Sequence, residues 1–169
     1  MIFPNNAAAL GGTEVYPTPA ESRTSLGRPH RRPGGMDSGL ITETGLVPAV
    51  DQIEVHPHFA NTETATACAR QRVAVEAWSP LGQGTELQDP VIAGIAEACD
   101  RSSAQVILRW HLQHGRIVVP KTTHRHRMEE NLALLDFELS ADQLASIDGL
   151  DQGESGRVGP HPETMSWMP

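Results

Sequence analysis

The sequence has little of what many functional classes require. Tyrosine and lysine each occur once, as Tyr16 and Lys121, and aromatic residues make up only 4% of 169. No run of about 20 apolar residues exists, so no membrane-spanning helix is expected. The N-terminus, MIFPNNAAALGG, has no basic stretch ahead of its short apolar run, and no signal peptide is expected. Positive charge is not in excess: the net charge is −8 and the isoelectric point is near 5.4. That balance argues against nucleic acid or an anionic membrane surface as partner. Cysteine is limited to Cys68 and Cys99, both in helix-like segments, where reduced, buried thiols in a cytoplasmic protein are the expectation.

What is present permits a folded domain. The hydrophobic fraction of 38% and charged fraction of 20% are close to globular averages. A chain of this length can bury roughly two-thirds of its unfolded surface. Residues 1–38 show no apolar period and contain five prolines and five glycines; within them RTSLGRPHRRPGG, Arg23 to Gly35, is basic. Such a segment buries too little surface to offset its ordering entropy, so it is expected to be disordered, and its arginines to be a solvated tail.

The pattern changes at Gly39. Val47 to Val55 reads as a buried strand and Val73 to Trp78 as a second, with Ile117 to Val119 a short third closed by Pro120. Asn61 is placed to cap a helix from Thr62 to about Gln71. Asp89-Pro90 opens a helix that runs through Cys99. Ser102 caps the next, with Val106, Ile107 and Trp110 on one face and Gly115 as its stop. Two more helices are predicted, from Arg125 to Leu134 and from Ala141 to Asp148, the second opened by the capping box Ser140 and Gln143. Beyond Gly149 the chain is Gly, Pro and polar, so residues 149–169 are expected to form an irregular tail. Strands alternating with helices imply an α/β class with a parallel sheet.

Five blocks in order carry a resemblance. Pro48 to Pro57 (PAVDQIEVHP) is similar to the strand-6 block of the aldo-keto reductases, and Glu76 to Gly84 (EAWSPLGQG) to their strand-7 block. Ala104 to Trp110 (AQVILRW) resembles the helix that follows, and Val118 to Thr122 (VVPKT) the strand-8 block. Arg127 with Glu130-Asn131, then Leu135 to Leu139 (LDFEL), is similar to the closing segments. The resemblance covers about 130 of the 169 residues. Trp78 and the tail SGRVGPHP, Ser155 to Pro162, look most like the bacterial 2,5-diketo-D-gluconate reductase branch.

That resemblance implies a (β/α)8 barrel, of which residues 39–148 would be the part holding strands 6 to 8, with its site at the C-terminal strand ends. It also implies NADPH as cofactor. Gln52 would bond the nicotinamide carboxamide, with Asp51 beside it, and Trp78 would stack on the ring. Ser79, Pro80, Leu81 and Gln83 would cover the pyrophosphate. Lys121, Thr122, Thr123 and Arg127 would hold the adenosine 2′-phosphate, and Glu130 and Asn131 would meet the adenine. Asp51 stands where the family usually has asparagine, and an ionised carboxylate cannot donate a hydrogen bond. His124 and His126 likewise replace residues that are commonly Arg and Glu. Alone, Trp78 reads as core, Lys121 and Arg127 as surface charges. The HPH run at His56 lacks partners at metal-ligand spacing, so no metal is expected.

The family reduces a carbonyl of a small-molecule substrate by hydride transfer, using Tyr, Lys, Asp and His from the first half of its barrel. Lys121 already belongs to the strand-8 motif, and Tyr16, in GGTEVYPTPA, fits no family block. No catalytic residue is therefore expected in this chain. The abrupt start of family-like text at Gly39 points to a truncated or frameshifted reading frame. Three strands cannot close a barrel, so self-association through open edges is an expectation. An NADPH-binding fragment without catalysis and a product without a stable fold stay open as alternatives.

Overall fold

The computed structural model describes residues 41 and 44–161. They belong to one compact unit, 31–169, and the other unit, 1–30, lies outside the described residues. The expectations for residues 1–38, for Tyr16 and for the last residues of the tail therefore fall outside them.

Three parallel strands form one sheet in the order β1 (Val50–Glu54), β2 (Ala74–Trp78), β3 (Ile117–Val118). The register sets Gln52 beside Glu76, Ile53 beside Ala77 and Glu54 beside Trp78, with Ala77 beside Val118. Alternation along the strands divides the sheet into two unlike faces. On one, Ile53, Ala77 and Val118 join Val55 and Val75 and pack against helices. On the other stand Val50, Gln52, Glu54, Glu76, Trp78 and Ile117, where Val50 and Ile117 are exposed.

Five α-helices after β1 lie wholly among the described residues: α1 (Thr62–Gln71), α2 (Pro90–Cys99), α3 (Ser103–Gln113), α4 (Arg125–Leu132) and α5 (Ala141–Asp148). Their starts are set by local chemistry. The Asp89 carboxylate accepts from the Val91 and Ile92 amides, and Ser102 with Gln105 and Ser140 with Gln143 both close capping boxes. Gly115, at φ +71°, supplies the left-handed turn after α3. The core joins Ile92, Ile95 and Ala96 of α2 to Val106, Ile107 and Trp110 of α3, with Leu139 and Ile147 completing it.

The structure corrects several expectations. Asn61 precedes α1 but does not cap it: its backbone is left-handed, at φ 47°, and its side chain donates to the Glu54 carbonyl at 3.1 Å. Helix α4 stops at Leu132 rather than Leu134, because Leu134 turns inward and its carbonyl accepts from the Arg109 guanidinium at 3.0 Å. Strand β3 ends at Val118, leaving Val119 exposed. Cys68 is buried, but Cys99 is only half-buried; both are free thiols. The tail is not wholly irregular, since Gly153–Gly156 winds into a 3₁₀ turn and the residues after it dock on β1. Helix α3 is buried on more than its expected face, for Leu108, Arg109 and His111 are buried as well.

Candidate functional site

The open face of the sheet brings two of the sequence-predicted residues together. Gln52 on β1 donates its amide to the Glu76 carboxylate on β2, and Trp78 lies two residues further along β2 on the same face. Asp51 is not brought to them. Its side chain projects to the helix side, where the Cys68 thiol of α1 donates to its carboxylate at 3.5 Å. Burial, with the Asp51 charge and its hydrogen bond, pushes that thiol's pKa up to about 12. The structure thus seats Asp51 against α1, on the face opposite Gln52.

The segment after β2 is built from strained backbone held in place by buried groups. Ser79 and Gln83 take left-handed conformations at φ 51° and 56°, rare for residues with a Cβ, and Gly82 and Gly84 also have positive φ. The Gly82 amide donates to the Ser79 carbonyl at 2.9 Å and the Gly84 amide to the Leu81 carbonyl at 2.7 Å. Two 3₁₀ turns joined across a kink then fill Gly82–Gln88. From beneath, His111 of α3 bonds the Pro80 carbonyl at 3.0 Å. Burial lowers the pKa of His111 to about 3, so it is neutral, with Nε2 as the donor. Pro80 is buried, Ser79 and Leu81 are half-buried, and Gln83 is exposed.

A second buried system supports the same segment. Glu86 is fully buried; its carboxylate accepts from the His56 Nδ1 and, at 2.9 Å, from the His58 amide. A Cβ on Gly82 would come within 2.6 Å of the Glu86 carboxyl carbon, so glycine is needed there for space as well as for φ. His56 lies between two buried carboxylates, with its Nε2 3.3 Å from Glu54. Burial opposes its charged form, but the bonds and charges of Glu86 and Glu54 outweigh that and raise its pKa. His56 is therefore held between the Glu54 and Glu86 carboxyl groups, which favour its protonated form. Neither Glu54 nor Glu86 was singled out from sequence, and the available signal was a glutamate falling on the same strand face as Gln52.

The cationic residues lie beyond β3. Lys121 and Thr123 are exposed, and Thr122 accepts from the His124 amide at 3.2 Å just ahead of α4. No residue of α4 is buried, and Arg127 stands in solvent; among the described residues neither Lys121 nor Arg127 has an ion-pair partner. Glu130 and Asn131 are half-buried, with Glu130 3.3 Å from His126. Helix α3 fixes this exposed helix by two side chains: Gln105 donates to the Glu130 carbonyl at 3.1 Å, and Arg109 reaches the Leu134 carbonyl and Glu138. All these residues except Asp51 lie on the open face or in segments leaving the C-terminal ends of parallel strands. That is the end at which α/β sheets place their ligands. Planar rings can lie on Trp78, and unpaired cations beside a helix N-terminus suit a phosphate group.

A family model described as the Aldo/keto reductase family matches residues 40–152. The chain belongs to that family. An aldo-keto reductase of Mycolicibacterium smegmatis is 49% identical over 128 residues, which are 76% of this chain and 46% of that protein. Glyoxal reductase of Bacillus subtilis is 44% identical, with 75% of this chain and 45% of the relative covered. The crystal structure of Gox0644, 40% identical, superposes with a TM-score of 0.74 over 76% of this chain and 47% of the other; a mutant of Gox0644 has been solved in complex with NADPH. The chain thus spans about half the length of the curated relatives it matches. Its fold is an α/β arrangement like theirs, a partial barrel with parallel strands that does not close among the described residues. No described helix is long and apolar enough to cross a membrane.

Proposed function

We propose that this chain carries the NADPH-binding part of a carbonyl reductase, corresponding to strands 6 to 8 of the family barrel and nearest to the 2,5-diketo-D-gluconate reductase branch. The observation that carries this reading is that Trp78 and Gln52 share one sheet face, while Lys121 and Arg127, which have no ion-pair partner among the described residues, follow the C-terminal end of β3. When bound, NADPH supplies a hydride to a carbonyl carbon. Gln52 orients the carboxamide, Trp78 stacks on the nicotinamide, and Ser79, Pro80, Leu81 and Gln83 cover the pyrophosphate. Lys121, Thr122, Thr123 and Arg127 take the 2′-phosphate, while Glu130 and Asn131 border the adenine. Asp51 contributes only by fixing α1 against β1, as its contact with Cys68 indicates.

The substrate of the whole enzyme is a small aldehyde, ketone or keto-sugar acid. Among the relatives, glyoxal reductase of Bacillus subtilis and methylglyoxal reductase DkgA of Salmonella typhimurium are named for such carbonyls. The proton donor comes from elsewhere. The one lysine of this chain, Lys121, is exposed in the phosphate motif, and the one tyrosine, Tyr16, stands in no family block. The chain by itself therefore binds cofactor in the cytoplasm and turns it over slowly or not at all, as a truncated form would. Among the described residues β1 and β3 are the edges of the sheet, and such edges favour self-association.

Titration with NADPH tests the reading. Binding at micromolar to millimolar concentration that is lost in Lys121→Ala supports it, and absence of binding at several millimolar rejects it. NADPH oxidation with methylglyoxal or 2,5-diketogluconate, at a rate well above background, would reject the non-catalytic part alone.

A further inference from the structure

The tail after the 3₁₀ turn is tied to β1 by one buried carboxylate. Glu54 is 2% exposed, and its Oε1 accepts from the Val158 amide at 2.7 Å and the Gly159 amide at 3.0 Å. Its Oε2 lies 3.7 Å from the Arg157 guanidinium, which also stacks 4.4 Å from the Phe59 ring centroid. Two consecutive amides converging on one carboxylate oxygen make a short anion-binding loop from the tail itself. Glu54 is also the register partner of Trp78 on the neighbouring strand.

Gly159 brings these two residues into one unit. A Cβ built there would lie 2.1 Å from Cη2 and 2.9 Å from Cζ2 of the Trp78 indole, and 2.8 Å from Glu54 Oε2. The backbone at Gly159 is therefore pressed against the six-membered ring of Trp78. Its φ is not in the positive range that would itself demand glycine. The need for glycine is spatial: only a residue without a side chain lets the tail lie flat on the indole edge while Glu54 holds both amides.

We infer that Glu54 and Gly159 are positioning residues for Trp78: the carboxylate clamps the tail, and the clamped tail sets the orientation of the indole. The inference rests on the reading of Trp78 as the cofactor platform for its functional meaning, but its geometric content stands apart from that. In this arrangement the Gly153–Gly156 turn and the residues that follow it to Gly159 act as a backstop. Contact with Gly159 limits rotation of the indole on that side and keeps Trp78 on the sheet face that carries Gln52.

Fluorine NMR of the full chain labelled with 5-fluorotryptophan tests this directly. The sequence holds three tryptophans, Trp78, Trp110 and Trp167, and Trp78→Phe assigns the Trp78 resonance. In Gly159→Ala and in Glu54→Ala the Trp78 resonance should move or broaden while that of Trp110 stays in place. Glu54→Gln, whose amide oxygen can still accept both backbone N–H groups, should return the Trp78 resonance close to wild type. NADPH affinity, measured in parallel, should fall about tenfold or more in the two alanine variants. An unmoved Trp78 resonance in folded Gly159→Ala and Glu54→Ala overturns the inference. So does loss of the folded state in both, which would make the tail a fold determinant instead of a positioning device. If the wild-type chain binds no NADPH while Gly159→Ala still shifts Trp78, the positioning role survives and only the cofactor reading fails.

Discussion

Helices α3 and α4 are neighbours that use sequence in opposite ways. In α3, seven residues from Gln105 to His111 are buried, whereas in α4 none is. The polar groups of α3 point at backbone: Gln105 at Glu130, Arg109 at Leu134, His111 at Pro80, while the Trp110 indole donates to Asp148 at 2.7 Å. Those of α4 point at water or at each other, as in the Arg125–Glu129 pair at 3.0 Å. The first helix holds neighbouring segments in place, and the second leaves its charged side chains at the surface, where the proposed function puts the cofactor phosphate. Both match family motifs, so a motif match alone does not distinguish a residue that binds from one that supports.

Four measurements would break or sharpen that contrast. The largest effect is expected from Trp110→Ala, which empties a fully buried site, removes the bond to Asp148 and strips the stacked Arg116 of its ring. A loss of about 3–5 kcal/mol in urea unfolding is expected, a large share of the stability of a typical domain.

The second is a pH effect located in α3. His111 is neutral in the fold with a pKa near 3, while in the unfolded chain it titrates near the ordinary value of about 6.5. Protons then bind the unfolded state preferentially, so stability is full above about pH 6.5 and falls toward pH 3. The slope approaches about 1.4 kcal/mol per pH unit. His56 has the opposite sign: its raised pKa gives a contribution that is complete below the unfolded value and is lost as pH rises through the folded one. His111→Gln keeps a donor for Pro80 and removes the titration, so its unfolding midpoint should fall less steeply with acid than that of the wild type.

The third is Gln105→Ala. This side chain serves both the capping box at Ser102 and the Glu130 carbonyl, and its loss should cost about 1–2 kcal/mol. It should also raise amide exchange in α4 more than in α2. The smallest effect on stability, within about 0.5 kcal/mol, is expected for Arg127→Ala at an exposed position. That variant should nonetheless weaken NADPH binding about tenfold by calorimetric titration. An α4 charge that mattered to stability, or an α3 side chain that mattered only to binding, would dissolve the contrast.

Much of the fold was legible from local signals. Asp89-Pro90, Ser102, and Ser140 with Gln143 are caps whose partners lie within three residues, and all three form as read; Gln105 adds a return bond at Ser102 that the sequence reading did not include. The strands were found, but their ends were overextended, because hydrophobicity continues past the last ladder bond at Val119. The end of α4 was misplaced for another reason. The Leu134 carbonyl is taken by Arg109, 25 residues away in sequence, and no local pattern announces that. Asn61 failed as a cap because its backbone is left-handed and its side-chain amide is turned to donate to the Glu54 carbonyl, so its oxygen is not presented to α1.

The sequence by itself determined the family, the parallel α/β order, the helix caps, and the residue types at the strand ends, since each depends on short-range chemistry or on ordered motifs. Only the tertiary structure decided which of those residues share a face and which groups hold them there. Asp51 and Gln52 are adjacent in sequence, yet the pleat sends one to Cys68 and the other to Glu76. Glu54 and Gly159 are separated by 105 residues, yet they meet at the edge of Trp78. Strand alternation and chain reversal determine such neighbours, and both act over distances that a local pattern of residues does not encode.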